Sequence, residues 1–355
     1  MVKKIGILTG GGDCGGLNAA IESIVKYAIH KGMEVYGIKK GWGGLVTGDI
    51  QLLSISDVDG IHSQTGTILQ TSRTNPYNYT GNLDGQFLKE ANVSKLIRDY
   101  RTDITLIGIP KTMDGDLQVY SLGLDTAINR SMQVLEDFIP VLIANGSLGF
   151  VELFGRDVGR VTFKAGISAG ADVILIPEIK IDLGYTCDFI AERYDARARR
   201  NHGTSYVLVA VAEGTENPVT GKRVYLNHGE DSFGHGKLGG IGDVLAKLVH
   251  DELKDDARIT KHIQKIDIRT QRPTYDVRGG ATSYSDSYVG QKLGLAAMRY
   301  LEQGGKSGMA VVNINKKGKI ESMPIKTLIK PRYVHMGVLN EFEESGKNCF
   351  GRKLE

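Results

Sequence analysis

The stretch IPKTMDGDL (109–117) attaches a lysine, a hydroxyl and two carboxylates to the end of the apolar run ITLIGI (104–109). Asp114, at the end of a buried strand, has the chemistry of a general base that takes a hydroxyl proton. Lys111 and Thr112 would then sit on an anion, and Asp116 would orient the base or the substrate. The competing reading of MDGD is an Asx-type turn with solvated acids. A second constellation, TGGGDCGGLNAA (9–20), puts Gly10, Gly11, Gly12, Gly15 and Gly16 between a strand and a helix. Backbone N–H groups and the helix N-terminus can both face a phosphate there. Under the alternative, a turn that serves packing alone, Asp13 would cap the helix. The turn lacks the Lys-Ser/Thr of a P-loop and the acid of a dinucleotide fingerprint.

Four further clusters have the same character. Arg73 stands among Thr71, Ser72 and Thr74, and VELFGRDVG (151–159) runs a strand into Gly155 and Arg156. VAEGT (211–215) ends a strand in Glu213, and RTQRPTYDVRGG (269–280) spaces Arg269, Tyr275 and Arg278 along an extended stretch. Each alone reads as surface charge. Together, rich in Arg, Lys and Asp at strand ends, they suggest two anionic groups held close with an acid between them for proton work.

The elements that must position these groups follow from periodicity. The apolar run KIGILT (4–9) predicts a strand, and Leu17, Ala20, Ile21, Ile24, Val25 and Ala28 keep the spacing of a one-sided helical stripe, closed by Gly32. EVYGI (34–38) follows at once, completing a βαβ unit and hence a parallel sheet covered on both faces. Comparable runs at 104–109, 148–154, 171–177, 205–213 and 308–314 alternate with helical patterns at 124–138, 240–254 and 289–305. Two doubly wound α/β units are expected, with ligands at the carboxyl ends of the strands.

Composition sets the outer limits. The 355 residues are 41% hydrophobic and 24% charged, enough for roughly two domains and unlike a disordered or fibrous chain. The net charge of +3 comes from 44 basic and 41 acidic residues and does not imply nucleic acid. The densest basic run, 193–203, reads as a solvated helix end, the alternative being an anion site. No stretch approaches a membrane span or a secretory leader, and Cys14, Cys187 and Cys349 are too scattered for a disulfide framework or a zinc site. A reducing cytoplasm is the expected compartment.

The order of these motifs resembles the phosphofructokinase family over nearly the whole chain. GGDCGGLNAAI stands for the family's glycine turn, SR (72–73) for its donor arginine, and PKTMDGD for its P-[GK]-T-[IM]-D-x-D loop. LFGRDVG, ADVILIPE, AEG and RGG (278–280) follow in sequence. The resemblance implies an α/β protein of two Rossmann-like three-layer αβα domains. Residues 1–123 with about 277–330 would form a larger donor-binding domain, and 124–276 with about 331–355 a smaller sugar-phosphate domain.

It also implies magnesium-dependent phosphoryl transfer to the 1-hydroxyl of fructose 6-phosphate, a glycolytic step, in a cytoplasmic homotetramer or homodimer with no nucleic-acid or membrane partner. Asp114 would be the base, flanked by Thr112 and Asp116. Gly11, Gly12, Arg73 and Lys111 would hold the donor, and Arg156 would bridge the transferring group and the sugar. Phe154, Gly155 and Glu213 would line the sugar pocket, Tyr275 and Arg278 would grip sugar and phosphate, and Arg269 would reach a neighbouring subunit's sugar phosphate.

Lys111 stands where many ATP-dependent members have glycine, which resembles the pyrophosphate users. Three departures stand out. The family's G-G-D-[GD]-[ST] motif, source of the metal aspartate, is absent between Arg73 and Lys111, as though a strand and turn were cut out near Glu90 and Ala91. The second intersubunit arginine falls on Ser147, and DLQVYSLGLDTA (116–127) is short.

Overall fold

The structure is a computed structural model that describes residues 3–72, 74, 104–230, 236–315, 317–328 and 332–353. The chain divides into two compact units of nearly equal length, so a larger and a smaller domain are not distinguished by residue count. One unit comprises 1–113, 117–126 and 278–330, the other 114–116, 127–277 and 331–355.

In the first unit β1 (Lys4–Leu8) pairs parallel with β2 (Glu34–Ile38), joined through α1 (Leu17–His30). The short helix α2 (Gly41–Thr47) leads to β3 (Ile50–Leu52), an antiparallel edge that hydropathy does not announce because all three residues are exposed. After α3 (Ile55–Val58), a short β4 (Ile107–Gly108) is all that forms of the predicted strand 104–109. The helix α9 (Tyr284–Glu302) lies on α1, and two glycines set the closeness of that contact. A Cβ on Gly290 would stand 2.5 Å from the Gly16 carbonyl oxygen, and one on Gly294 would stand 2.7 Å from that of Ala20. Strands β11 (Met309–Ile314) and β12 (Ile320–Pro324) complete this unit, β11 pairing parallel with β4.

The second unit holds most of α4 (Leu124–Asn145), which continues through Pro140 beyond its predicted end. Its sheet has the order β10-β5-β7-β6, all parallel, built from β5 (Leu148–Leu153), β6 (Val173–Leu175), β7 (Val207–Ala212) and β10 (Ile268–Gln271). Every residue of β5 and β7 is buried. Leu148, Phe150, Val207 and Val209 enter one core, while Val151, Leu153, Leu208 and Ala210 enter the other. That two-sided burial is why these strands read as unbroken apolar runs. Each fully buried Leu, Val or Phe is worth roughly 1.5–3 kcal/mol.

Helices α5 (Arg160–Ala169), α6 (Leu183–Arg200), α7 (Ile241–Leu253), α8 (Ala257–Thr260) and α10 (Met336–Glu344) and the hairpin β8 (Tyr225–Glu230) to β9 (Gly236–Leu238) make up the rest. The chain's C-terminal segment adds to the sheet edge, since Cys349 N donates to Asp172 O and Cys349 O accepts from Ile174 N.

Candidate active site

In the first unit the glycine turn follows β1 directly and is stitched to residues 70–72. Gly11 N donates to Ser72 O at 3.2 Å, and Thr71 Oγ1 donates to Gly11 O at 2.6 Å. Gly11 has φ +83°, a left-handed conformation that glycine adopts without strain. Lys111 enters this turn. Its ammonium donates to Gly12 O, and a Cβ on Gly11 would stand 3.3 Å from Nζ.

Arg278 also belongs to this unit and lies 3.7 Å from Asp13. Asp13 therefore meets a cation, and no side chain caps α1. The start of α1 serves packing. A Cβ on Gly15 would stand 2.2 Å from Thr126 Oγ1, and one on Gly16 would stand 2.8 Å from Asp286 O. These two glycines make room for protein, whereas a Cβ on Gly10 would come no nearer than 3.9 Å to the Trp42 ring and one on Gly11 would meet only the Lys111 side chain. Arg73 lies outside the described residues, as does most of the interval in which the glycine-aspartate motif was sought.

The backbone carrying Lys111 and Thr112 is held by a two-stranded contact. Leu122 N donates to Pro110 O at 3.0 Å, Thr112 N donates to Leu122 O at 3.1 Å, and Ser121 Oγ donates to Thr112 O at 2.9 Å. Cys14, whose thiol burial pushes up to about 12, donates to Leu122 O.

Behind this contact stands Asp286, fully buried. Its Oδ1 accepts from Tyr120 Oη at 2.7 Å and Gly123 N at 2.9 Å, and its Oδ2 from Thr126 N at 2.7 Å and Thr126 Oγ1 at 2.6 Å. One carboxylate thereby satisfies orphan N–H groups at the start of α4, a helix end that would otherwise be costly to bury. Burial and the Asp286 charge push the Tyr120 hydroxyl above its ordinary value. Sequence reading missed Asp286. Its signal was the spacing S-x-x-D at 283–286, whose Ser283 caps α9.

In the second unit, Asp114 and Asp116 flank Gly115, whose φ is +68°. Asp116 O accepts from Arg332 N at 3.0 Å, and Asp116 Oδ1 is buried with no hydrogen-bond partner. Arg160 shares this neighbourhood. Burial first, and the charge of Arg332 second, lower its guanidinium below the ordinary value, while Glu178 and Asp116 oppose the shift. Arg160 Nη2 donates to Arg332 O at 3.0 Å, and the Glu178 carboxylate accepts from Gly159 N and Val334 N. Asp116 thus has Arg160 and Arg332 as neighbours that the sequence did not single out, because Arg332 arrives from the far end of the chain.

The parallel register of β5 and β7 places Leu153 beside Ala212, so the loops after them run together. Glu213 N donates to Leu153 O at 2.9 Å and Gly214 N to Gly155 O at 3.0 Å. A Cβ on Gly214 would stand 1.8 Å from Arg156 O, an approach only glycine allows. Phe154, Gly155, Arg156 and Glu213 are therefore neighbours, as their spacing alone could not establish. Phe154 and Glu213 line a cleft of about 90 Å³ with Glu152, Leu226, Leu238 and Arg272. Glu152 is itself engaged, accepting from Gly240 N and Gly242 N at 2.9 Å each at the start of α7.

Arg269 Nε donates to Asp267 Oδ2 at 2.8 Å and to Ser147 Oγ at 3.2 Å on the edge strand β10. The Ser147 hydroxyl first, and Arg269 with it, hold Asp267 below the usual carboxylate range against its burial. Ser147, where an intersubunit arginine was sought, is fully buried. Tyr275 is 84% exposed. The basic run has protein partners: Arg197 donates to both Asp172 oxygens, Arg193 to Gly346 O and Lys347 O, and Arg199 pairs with Asp195.

Comparison with known proteins gives a consistent answer. The family model described as phosphofructokinase matches residues 4–97 and 85–301. The pyrophosphate–fructose 6-phosphate 1-phosphotransferase of Dictyoglomus thermophilum is 36% identical over 368 residues, covering 98% of this chain and 99% of that protein. That alignment is longer than the chain, so the relative carries residues with no counterpart here. ATP-dependent 6-phosphofructokinase 1 of a Nostoc species is 32% identical over 84% of this chain and 85% of that protein. Among solved structures, phosphofructokinase from Saccharomyces cerevisiae aligns over 97% of this chain with a TM-score of 0.71 at 22% identity, this chain spanning 47% of the yeast chain. A pyrophosphate-dependent phosphofructokinase from Marinobacter aquaeolei aligns over 95% of this chain and 86% of its own length, with a TM-score of 0.69 at 17% identity. At those identities the structural matches establish the fold, two Rossmann-like αβα units.

Proposed function

This chain belongs to the phosphofructokinase family, and from that premise we propose that it is a 6-phosphofructokinase using pyrophosphate in preference to ATP. It would transfer a phosphoryl group to the 1-hydroxyl of fructose 6-phosphate, giving fructose 1,6-bisphosphate. The observation that carries the donor assignment is the seat of Lys111, with its ammonium on Gly12 O and against Gly11. A fixed cation in a glycine turn compensates phosphate charge, and its stem fills space that a nucleoside triphosphate needs. The 36% identical relative, a pyrophosphate user by name, supports the same reading. ATP is the alternative donor, supported by the Nostoc relative.

In this reading Asp114 accepts the proton of the 1-hydroxyl as the oxygen attacks. Asp116 and Thr112 orient that exchange, and Lys111 with the backbone of Gly11 and Gly12 holds the donor. Arg156 stabilises charge on the transferring group. Phe154, Gly155 and Glu213 form the sugar wall in the second unit, and Tyr275 closes on the sugar. Arg278, whose partner in the first unit is Asp13, grips phosphate once the substrates are bound, and Arg73 adds to the donor side. Arg269 reaches the sugar phosphate of a second copy, so the working form is a homodimer or homotetramer, which light scattering would test.

Magnesium would accompany the donor. Among the described residues no group of three or more His, Cys, Asp or Glu side chains is assembled for a metal. No step is routed through the ion. No helix among the described residues is long and apolar enough to cross a membrane, and a cytoplasmic glycolytic enzyme is the setting proposed.

The test is purified protein with fructose 6-phosphate and magnesium, given pyrophosphate or ATP, with fructose 1,6-bisphosphate measured. Turnover with ATP alone refutes the donor assignment. Binding of the sugar phosphate with turnover from neither donor points to a silent homologue, a reading favoured by the missing glycine-aspartate motif and by buried Ser147.

A further inference from the structure

We propose that Arg160 is a positioning residue, which clamps the segment 332–334 so that the loop carrying Asp114 and the loop carrying Arg156 are held as one body. The inference rests on the reading of those two side chains as the proton acceptor and the charge stabiliser of the transferring group. Arg160 opens α5, four residues beyond Arg156.

The segment 332–334 is tied down at consecutive backbone groups. Arg332 N donates to Asp116 O at 3.0 Å, on the acid loop. Arg160 Nη2 donates to Arg332 O at 3.0 Å and to Tyr333 O at 3.4 Å. Val334 N donates to Glu178 Oε1 at 3.1 Å. The same carboxylate accepts from Gly159 N, at 3.1 Å on Oε1 and 3.0 Å on Oε2, where the Arg156 loop ends. One strap therefore holds the acid loop through the Arg332 amide and the Arg156 loop through Arg160 and Glu178.

Both ends of this clamp are anchored. Val334 is buried in the core that contains Phe163 and Leu339, so the strap cannot slide without exposing it. A Cβ on Gly159 would stand 2.4 Å from Ile176 Cβ and 3.0 Å from Glu178 Oε2, so only glycine lets the loop end sit this close to the carboxylate. Arg160 is half-buried, a setting in which charge-assisted bonds to two carbonyls are stronger than in water. On the acid loop, Asp116 Oδ1 is buried with no hydrogen-bond partner, so the backbone bond at Asp116 O and the charge of Arg160 bind this part of the loop to the strap. Tying both loops to one segment fixes the separation between proton acceptor and transferring group, and a misplacement of about 1 Å can cost ~100-fold in rate.

Arg160→Met keeps an apolar stem and removes the clamp. Its kcat should fall by up to ~100-fold while the KM values for fructose 6-phosphate and pyrophosphate stay at wild type, the mark of a group that sets geometry and touches neither substrate. Amide hydrogen exchange at 332–334 should quicken roughly tenfold, the effect of losing one hydrogen bond to a charged group. Arg160→Lys, which returns one donor to the strap, should recover part of both. If the Met variant does not fold, Glu178→Gln serves in its place: it unties Gly159 or Val334 with little change of shape and should show the same loss of kcat at constant KM.

Unchanged exchange at 332–334, or faster exchange with wild-type kcat, overturns the inference and leaves the proposed reaction standing. A raised KM at constant kcat does the same, because Arg160 would then be a substrate ligand. So does a lowered urea midpoint that Arg160→Lys restores without restoring kcat, since the clamp would then serve stability alone. Wild-type protein that turns over with neither pyrophosphate nor ATP sinks the reaction instead. In that case exchange that quickens in Arg160→Met at both 114–116 and 332–334 keeps the strap as the tie between the loops, and quickening confined to 332–334 removes it.

Discussion

Replacing Asp286 tests whether a buried carboxylate remote from the reacting groups sets the geometry of Lys111 and Thr112. The carboxylate is fully buried and accepts from two backbone N–H groups, Gly123 and Thr126, and from the hydroxyls of Tyr120 and Thr126. The hydroxyls can rotate toward other acceptors, but the two N–H groups cannot. Each buried donor left unsatisfied costs about 1–3 kcal/mol, so Asp286→Ala should destabilise by ~4 kcal/mol. Asp286→Asn retains the shape and one acceptor oxygen but turns an amide N–H toward a donor, for a cost of ~2 kcal/mol.

Against a native stability of about 5–15 kcal/mol these are large fractions, visible as lowered urea midpoints. The catalytic consequence travels through the segment that Asp286 fixes. Leu122 pairs with Pro110 and Thr112, so a displacement of about 1 Å should lower kcat by up to ~100-fold in the folded Asn variant. Urea unfolding and steady-state kinetics on both variants make the check. An Asp286→Asn protein with a wild-type midpoint would refute the energetic argument. One that is destabilised but retains wild-type kcat would refute the link to the loop.

Asp114→Ala should lower turnover by roughly 10²–10⁴-fold while calorimetry shows fructose 6-phosphate binding retained, and loss of folding would mean the acid is structural. Lys111→Gly should weaken use of pyrophosphate and improve use of ATP in the same coupled assay, whereas an unchanged donor ratio would remove Lys111 from donor selection. Gly214→Ala places a methyl carbon 1.8 Å from Arg156 O, so it should raise the KM for fructose 6-phosphate at least tenfold or abolish soluble expression, and wild-type kinetics would show that the two loops separate freely. His262, then Lys261 and Arg199, hold Asp195 at about 2, below its ordinary value, so the stability it contributes is complete above about pH 4 and is lost as pH falls toward 2. Asp195→Asn should flatten that acid limb in unfolding midpoints measured against pH, and an unaltered limb would assign acid sensitivity elsewhere.

Legibility in the sequence followed the range of the interaction. The strands buried on both faces, β5 and β7, and the stripe of α1 were readable because their periodicity is local and strong. The edge strands β3, β10 and β12 were not, because a strand exposed on one side or at an edge carries no continuous apolar run. The helix pattern at 124–138 stopped short of Pro140, yet α4 runs on to Asn145, tertiary packing having overridden a local breaker.

The residue types in the glycine turn, at Lys111 and in the paired acids already limited the chemistry to holding anions and moving a proton. Motif order then singled out a family that the comparisons bear out. Tertiary structure alone decided which groups meet. It divided the turn's glycines between those that admit Thr126 and Asp286 and those that face Lys111 and Trp42, it gave Asp13 to Arg278, and it brought Arg332 to Asp116 from more than half the chain away. The physical reason is that a side chain's type is written at its own position. Its partner is selected only when burial removes water and makes every unsatisfied donor or charge find the nearest complement, wherever the chain has brought it.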